Sequence, residues 1–152
     1  MARQPVQVHV WLYRKSGDSY EYAVFGRADM PECFQGVCGG LEDDETLEDG
    51  ARRELYEEAS VSGDLPLYRL TTVSCIPDNV FSERARKHWG RDVVVVPMYF
   101  CAMPYYGEIH LSHEHTTVRW LSYEEAHELV YFDDQKISLY ELNERLIRGN
   151  LY

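Results

Sequence analysis

The stretch from Gly39 to Val61 limits this chain more than any other. It reads Gly-Gly-Leu-Glu-Asp-Asp-Glu-Thr-Leu-Glu-Asp-Gly-Ala-Arg-Arg-Glu-Leu-Tyr-Glu-Glu-Ala-Ser-Val. Thr46 is placed to cap a helix, and Asp49 three residues later approximates a capping box. Leu47, Ala51 and Leu55 follow at four-residue spacing and form one apolar stripe. Glu54, Glu57 and Glu58 sit at i, i+3 and i+4, so they share another face and converge. Two readings are open: a solvated acidic face, or a site where a divalent cation relieves the repulsion. Hard oxygen ligands select Mg²⁺, with Mn²⁺ as the alternative, over zinc. Two neighbours favour the site. Gly39 and Gly40 precede the helix, where a backbone without Cβ approaches a ligand closely. Arg53 sits among the acids, with Glu45 available as its partner across the loop.

On these residues the stretch resembles the Nudix box, the signature of hydrolases that cleave a nucleoside diphosphate linked to another group. Gly39, Glu45, Arg53, Glu54, Leu55, Glu57, Glu58 and Val61 match that pattern at its spacing. Ser60 stands where its final Gly is usual, and Asp44 where many members have Gly before the first Glu. Neither departure touches a carboxylate.

The chain has 152 residues, read as a single domain spanning 1–152, and 45% of them are apolar, which excludes a disordered class. The formal net charge is −11. Nine acids and two arginines lie between Glu42 and Glu58, a net −7, so most of the excess is in this stretch. That favours a cation site and argues against a nucleic-acid polymer as partner. Cys33, Cys38, Cys75 and Cys101 form no Cys-x-x-Cys pair and read as reduced thiols. Cys38 is either a reactive thiol beside the glycines or a small packing residue. No signal peptide opens the chain and no apolar run is long enough to span a bilayer. The expectation is a cytoplasmic monomer or homodimer with a small-molecule partner and no membrane.

The hydrophobic pattern predicts paired strands over 6–13 and 20–25, with a turn at Ser16-Gly17-Asp18-Ser19. A loop through Pro31 and a short extended piece over 35–38 lead into the glycines. After the helix, a strand is expected over 67–76, a long polar loop over 77–92, and a strand over 93–103. The last is apolar enough for burial on both faces, although Pro97 implies a bulge or an edge. A further strand over 116–121 precedes a helix opened by Ser122 with Glu125 as capping-box partner. A last helix over 135–148 would bury Ile137, Tyr140, Leu142 and Leu146 or Ile147. The class is α/β or α+β. The resemblance implies the Nudix layering, a mixed sheet sandwiched between helices.

A second motif lies at Ser112-His113-Glu114-His115. Glu114 is either a solvated loop acid or part of a site, and His110, His113 and His115 raise zinc as an alternative. The segment Glu114-His115-Thr116-Thr117-Val118-Arg119-Trp120-Leu121 resembles one in Nudix subfamilies, among them dihydroneopterin triphosphate pyrophosphatases and diadenosine tetraphosphate hydrolases. That match implies Glu114 as a fourth carboxylate facing the metal. The run Gly26 to Gln35 resembles the same subfamilies more loosely, with Phe34 where they carry Trp. Phe34 either stacks on a flat ring or packs.

The implied chemistry has Mg²⁺ held by Glu54, Glu57, Glu58 and Glu114, with one of these carboxylates as base and Arg53 among the catalytic set. Arg27, Arg84, Arg86, Lys87 and Arg91 are candidates to hold phosphates. For the 84–91 cluster the alternative is a solvated loop. Three functions follow: a pyrophosphohydrolase of nucleoside or pterin triphosphates; a broader enzyme acting on diadenosine polyphosphates, sugar nucleotides or oxidised nucleotides; or a non-catalytic nucleotide sensor. A sensor has no need of mutually repelling glutamates, which weighs against the third.

Overall fold

The computed structural model describes residues 3–152. A seven-stranded mixed sheet is built from β1 (Arg3–Ser16), β2 (Ser19–Arg27), β3 (Phe34–Gln35), β4 (Val37–Glu42), β5 (Tyr68–Pro77), β6 (Val95–Pro104) and β7 (His115–Ser122). The helices are α1 (Leu47–Ala59), the short α2 (Glu83–Lys87), α3 (Tyr123–Leu129) and α4 (Asp133–Arg148).

The long first strand has three neighbours. β1 runs parallel to β6 over residues 7–13, antiparallel to β4 over 7–10, and pairs with β2 only over 13–16. β2 then turns to β7 on one side and meets β3 at Phe25 and Gly26. The β1–β2 hairpin therefore forks, and the β3–Gly36–β4 segment fills the fork. Gly36 donates its N–H to His9 Nε2 at 3.0 Å. A Cβ at Gly36 would strike the His9 ring and the Val10 carbonyl, so the fork closes only around glycine.

Alternation along β1 feeds two cores. Val8, Val10 and Leu12 pack with Ala51, Leu55 and Ala59 of α1. Trp11 and Tyr13 pack on the other face with Ala126, Leu139 and Leu142 of α3 and α4. The sandwich that the resemblance implies is the observed architecture. α1 begins as anticipated, with Thr46 accepting from the Asp49 N–H, and α3 carries the full Ser122–Glu125 capping box.

β6 lies between β1 and β5 and is buried on both faces over residues 100–103. Pro97 pairs with Cys75 of β5 but precedes the first β1 rung at Met98, so its missing N–H leaves no β1 carbonyl unmatched.

Two expectations are corrected. The 77–92 segment is not plain loop: a 3-10 turn, Asp78–Val80, and α2 occupy it, with Ser82 capping α2. The buried face of α4 is Gln135, Ser138, Leu139 and Leu142, whereas Ile137 and Tyr140 are exposed. The helix is rotated because the sheet offers it a polar group: Trp11 Nε1 donates to Ser138 Oγ at 2.8 Å, and Ser138 donates to the Gln135 carbonyl at 2.7 Å.

Candidate active site

α1 sets its glutamates against β4. Arg53 forks onto Glu45, with Nε to Oε2 at 2.7 Å and Nη2 to Oε1 at 2.9 Å. The same guanidinium donates to the Gly40 carbonyl at 2.9 Å, to Glu54 at 3.0 Å and to Glu57 at 3.1 Å. Glu45 also accepts the Glu42 N–H at 2.7 Å, and the Arg53 bonds hold its carboxyl below the usual carboxylate range. Arg53 thus ties the loop to the helix and aims two of its acids.

The glycines serve that assembly. A Cβ at Gly39 would overlap the Glu54 carboxylate, and one at Gly40 would press on Gln7. Gly39 makes room for Glu54, and Gly40 supplies a carbonyl to Arg53. Neither lines the cavity described below.

Glu58 is the more deeply buried of the two buried acids on the face, 2% exposed against 7% for Glu54, and its Oε2 has no hydrogen-bond partner. Burial drives its carboxyl far above the usual range, and the adjacent Glu54 carboxylate with the charges of Glu114 and Glu57 adds to the shift. His115 Nε2 stands 3.7 Å from Glu58 Oε1. Burial lowers the His115 pKa, so the imidazole does not supply a compensating charge. A buried carboxylate facing three others, with an oxygen unsatisfied, is the donor set a hard cation fits.

Among the described residues, no three His, Cys, Asp or Glu side chains stand close enough together to hold a metal ion as they are. On α1, Arg53 holds Glu54 at 3.0 Å and Glu57 at 3.1 Å. The zinc alternative gathers no site either. His110 is exposed beside Glu108, and His113 is exposed, while His115 is buried against Phe25.

Glu58, Glu114 and Arg27 open onto one cavity of about 780 Å³ between the sheet, the 77–81 segment and the start of α4. Its lining combines these three residues with His115, Asp29, Asp134 and Gln135, and the apolar side chains are Ile76, Phe81, Met98 and Phe132. Arg27 is forked onto Asp29 at 2.9 and 2.6 Å, so a phosphate entering there competes with a carboxylate.

Three expected positions fall elsewhere. Phe34 is packed in the α3/α4-side core rather than in the cavity wall. Arg84 and Lys87 lie exposed on α2 and do not line the cavity, because the apolar first part of their segment forms the wall. Cys38 does reach the cavity, but burial pushes its thiol up and its Sγ rests 3.7 Å from Met98 Sδ, which is the packing role. Phe81, Phe132 and Gln135 are cavity residues that the sequence pattern did not single out. The apolar pair beside loop signals was their only trace.

Residues 3–141 match the family model described as the NUDIX domain. The chain belongs to the NUDIX family. It is 28% identical over 123 residues to the dihydroneopterin triphosphate diphosphatase of Escherichia coli K12, covering 78% of this chain and 79% of that protein. A solved structure from Listeria monocytogenes, described as a NUDIX hydrolase, superposes with a TM-score of 0.86 at 36% identity, covering 97% of this chain and 98% of that one. A Caenorhabditis elegans Ap4A hydrolase shares the fold at a TM-score of 0.68 and 17% identity, covering 94% and 97%. The NUDIX chain described here is accordingly a Nudix-type hydrolase with a mixed α+β fold. No helix of its described residues is long and apolar enough to cross a membrane.

Proposed function

We propose that this hydrolase is a Mg²⁺-dependent pyrophosphohydrolase that cleaves a nucleoside or pterin triphosphate to the monophosphate and pyrophosphate. The buried, unpartnered Glu58 oxygen on a cavity of about 780 Å³, which also offers apolar side chains for a ring, carries the reading. The similarity to a dihydroneopterin triphosphate diphosphatase supports the substrate class.

Glu54, Glu57, Glu58 and Glu114 would hold the cation. Bound there, a divalent ion neutralises charge on the phosphate oxygens and lowers the barrier to attack by water. Arg53 acts through the glutamates: it keeps Glu54 and Glu57 from swinging into solvent and does not reach the cavity itself. Glu57 and Glu114 are exposed and accessible to accept the proton of the attacking water. Arg27 at the mouth grips a phosphate when Asp29 yields. Ile76, Phe81, Met98 and Phe132 would pack on the ring.

A screen of nucleoside and pterin triphosphates, dinucleoside polyphosphates and sugar nucleotides tests this, read for both phosphate and pyrophosphate, with Mg²⁺ and with EDTA. Mg²⁺-dependent pyrophosphate release from a triphosphate is the expected result. Turnover confined to dinucleoside polyphosphates or sugar nucleotides, or undiminished in EDTA, contradicts it.

A further inference from the structure

The cavity contains a polar group that the phosphate chemistry does not use. Gln135, at the start of α4, lines it while its side chain is nearly sealed, 3% exposed. Its Oε1 is buried and has no hydrogen-bond partner, and the same holds for His9 Nδ1. The two side chains are in contact.

The hydrogen-bond network sets which way the amide faces. His9 Nε2 accepts the Gly36 N–H, so that nitrogen carries no proton. The neutral imidazole then bears its proton on Nδ1, a donor. The sealed carboxamide oxygen is the acceptor that can face it. The NH₂ end of Gln135 is left for the cavity. The main chain is held as firmly: the Gln135 N–H donates to Asp134 Oδ1 at 2.9 Å, and its carbonyl accepts from Ser138. Asp134 is itself fixed by Ser74 Oγ at 2.8 Å. A donor on a rigid mount, beside Phe132, is how an apolar pocket reads the edge of a flat polar ring.

Building on the pyrophosphohydrolase function above, we propose that Gln135 is a specificity-determining residue: its NH₂ group donates to a carbonyl or ring nitrogen on the edge of a purine or pterin ring held against the apolar side chains of the cavity. The Gly36–His9 bond leaves His9 Nδ1 as a donor toward Gln135, which favours that direction. A ring with no acceptor on that edge leaves the amide unsatisfied, and such mismatches are rejected more strongly than differences of size.

The test compares wild type with Gln135→Met, which keeps length without polarity, and Gln135→Glu, which keeps shape without a donor. GTP, dihydroneopterin triphosphate and the ring-free probe tripolyphosphate are measured in Mg²⁺, with thermal melts as a check on folding. If tripolyphosphate is not cleaved, its inhibition constant is read instead. Both variants should lose at least about tenfold in kcat/KM on the ring-bearing substrates, mostly through KM, with tripolyphosphate within about twofold of wild type. Equal losses on tripolyphosphate would show that Gln135 is structural, and unchanged discrimination would overturn the proposal. If wild type cleaves none of the triphosphates, the pyrophosphohydrolase reading itself fails; if wild type cleaves them and the variants do too, only the role of Gln135 fails.

Discussion

Arg53 and Glu45 are joined by two hydrogen bonds, of 2.7 and 2.9 Å, across the turn that leads into α1. The pair is half-enclosed and leaves one guanidinium nitrogen to hold Glu54 and Glu57. Lysine has no fork to reproduce this. Arg53→Lys should therefore lower kcat by about 10–100-fold, in the range found for residues that orient metal ligands, with a smaller change in KM. Steady-state kinetics check it; a change in KM alone would mean that Arg53 contacts substrate.

Glu58 should reveal the cation through stability. Its burial opposes ionisation, so Glu58→Gln should be no less stable than wild type in EDTA. Saturating Mg²⁺, at about a hundred times its Kd, should stabilise wild type by about 2.7 kcal/mol and the variant by much less. Chemical denaturation with and without Mg²⁺ measures both. An equal gain in the two proteins would remove Glu58 from the ligand set.

His9 predicts a pH effect. Burial lowers its pKa from 6.5 to about 3. Above pH 6.5 the residue is neutral folded and unfolded and contributes nothing. Below it, the unfolded chain takes up a proton that the folded chain refuses, so stability falls with pH until about 3. Between pH 7 and 5 the loss from this group is about 2 kcal/mol. Other groups titrate too, so the difference in slope between wild type and His9→Gln isolates it. Parallel slopes would contradict the assignment.

The two departures from the box pattern share a cause. Asp44 and Ser60 are the non-glycine residues at positive φ, 65° and 59°, among those described. Ser60 is the left-handed cap of α1, and the box pattern that the stretch resembles has its usual final glycine there and often a glycine at the Asp44 position. Asp44→Gly and Ser60→Gly should each stabilise by up to about 1 kcal/mol without altering kcat, because glycine adopts this conformation without a Cβ clash. Thermal melts and assays of each variant decide it; a loss of stability would show that the side chains make up for the strain.

What the sequence displayed was what repeats locally. The α1 stripe, the Arg53–Glu45 partnership and the two caps are short-range and stand in the structure as read. The α4 face was misread because its inward residues include Gln135 and Ser138, whose partner Trp11 lies 127 positions away. His9 alternates with Val8 and Val10 along β1, and the second layer of helices buries its side of the strand as well. Phe81 and Phe132 sit in or beside loop segments, where no periodicity marks an inward residue. Their role emerges only where β5, β6 and α4 meet.

The most direct test of the central claim is the position of the broken bond. In the proposed function the glutamate face and Glu114 grip a chain of phosphates while the apolar side chains of the cavity take the ring, which favours attack inside the chain. Hydrolysis of dihydroneopterin triphosphate or GTP in ¹⁸O-water with Mg²⁺, followed by mass analysis, should yield the monophosphate and unsplit pyrophosphate, with the label in one of the two. Release of orthophosphate alone, or equally efficient hydrolysis of a simple phosphomonoester, would contradict the account.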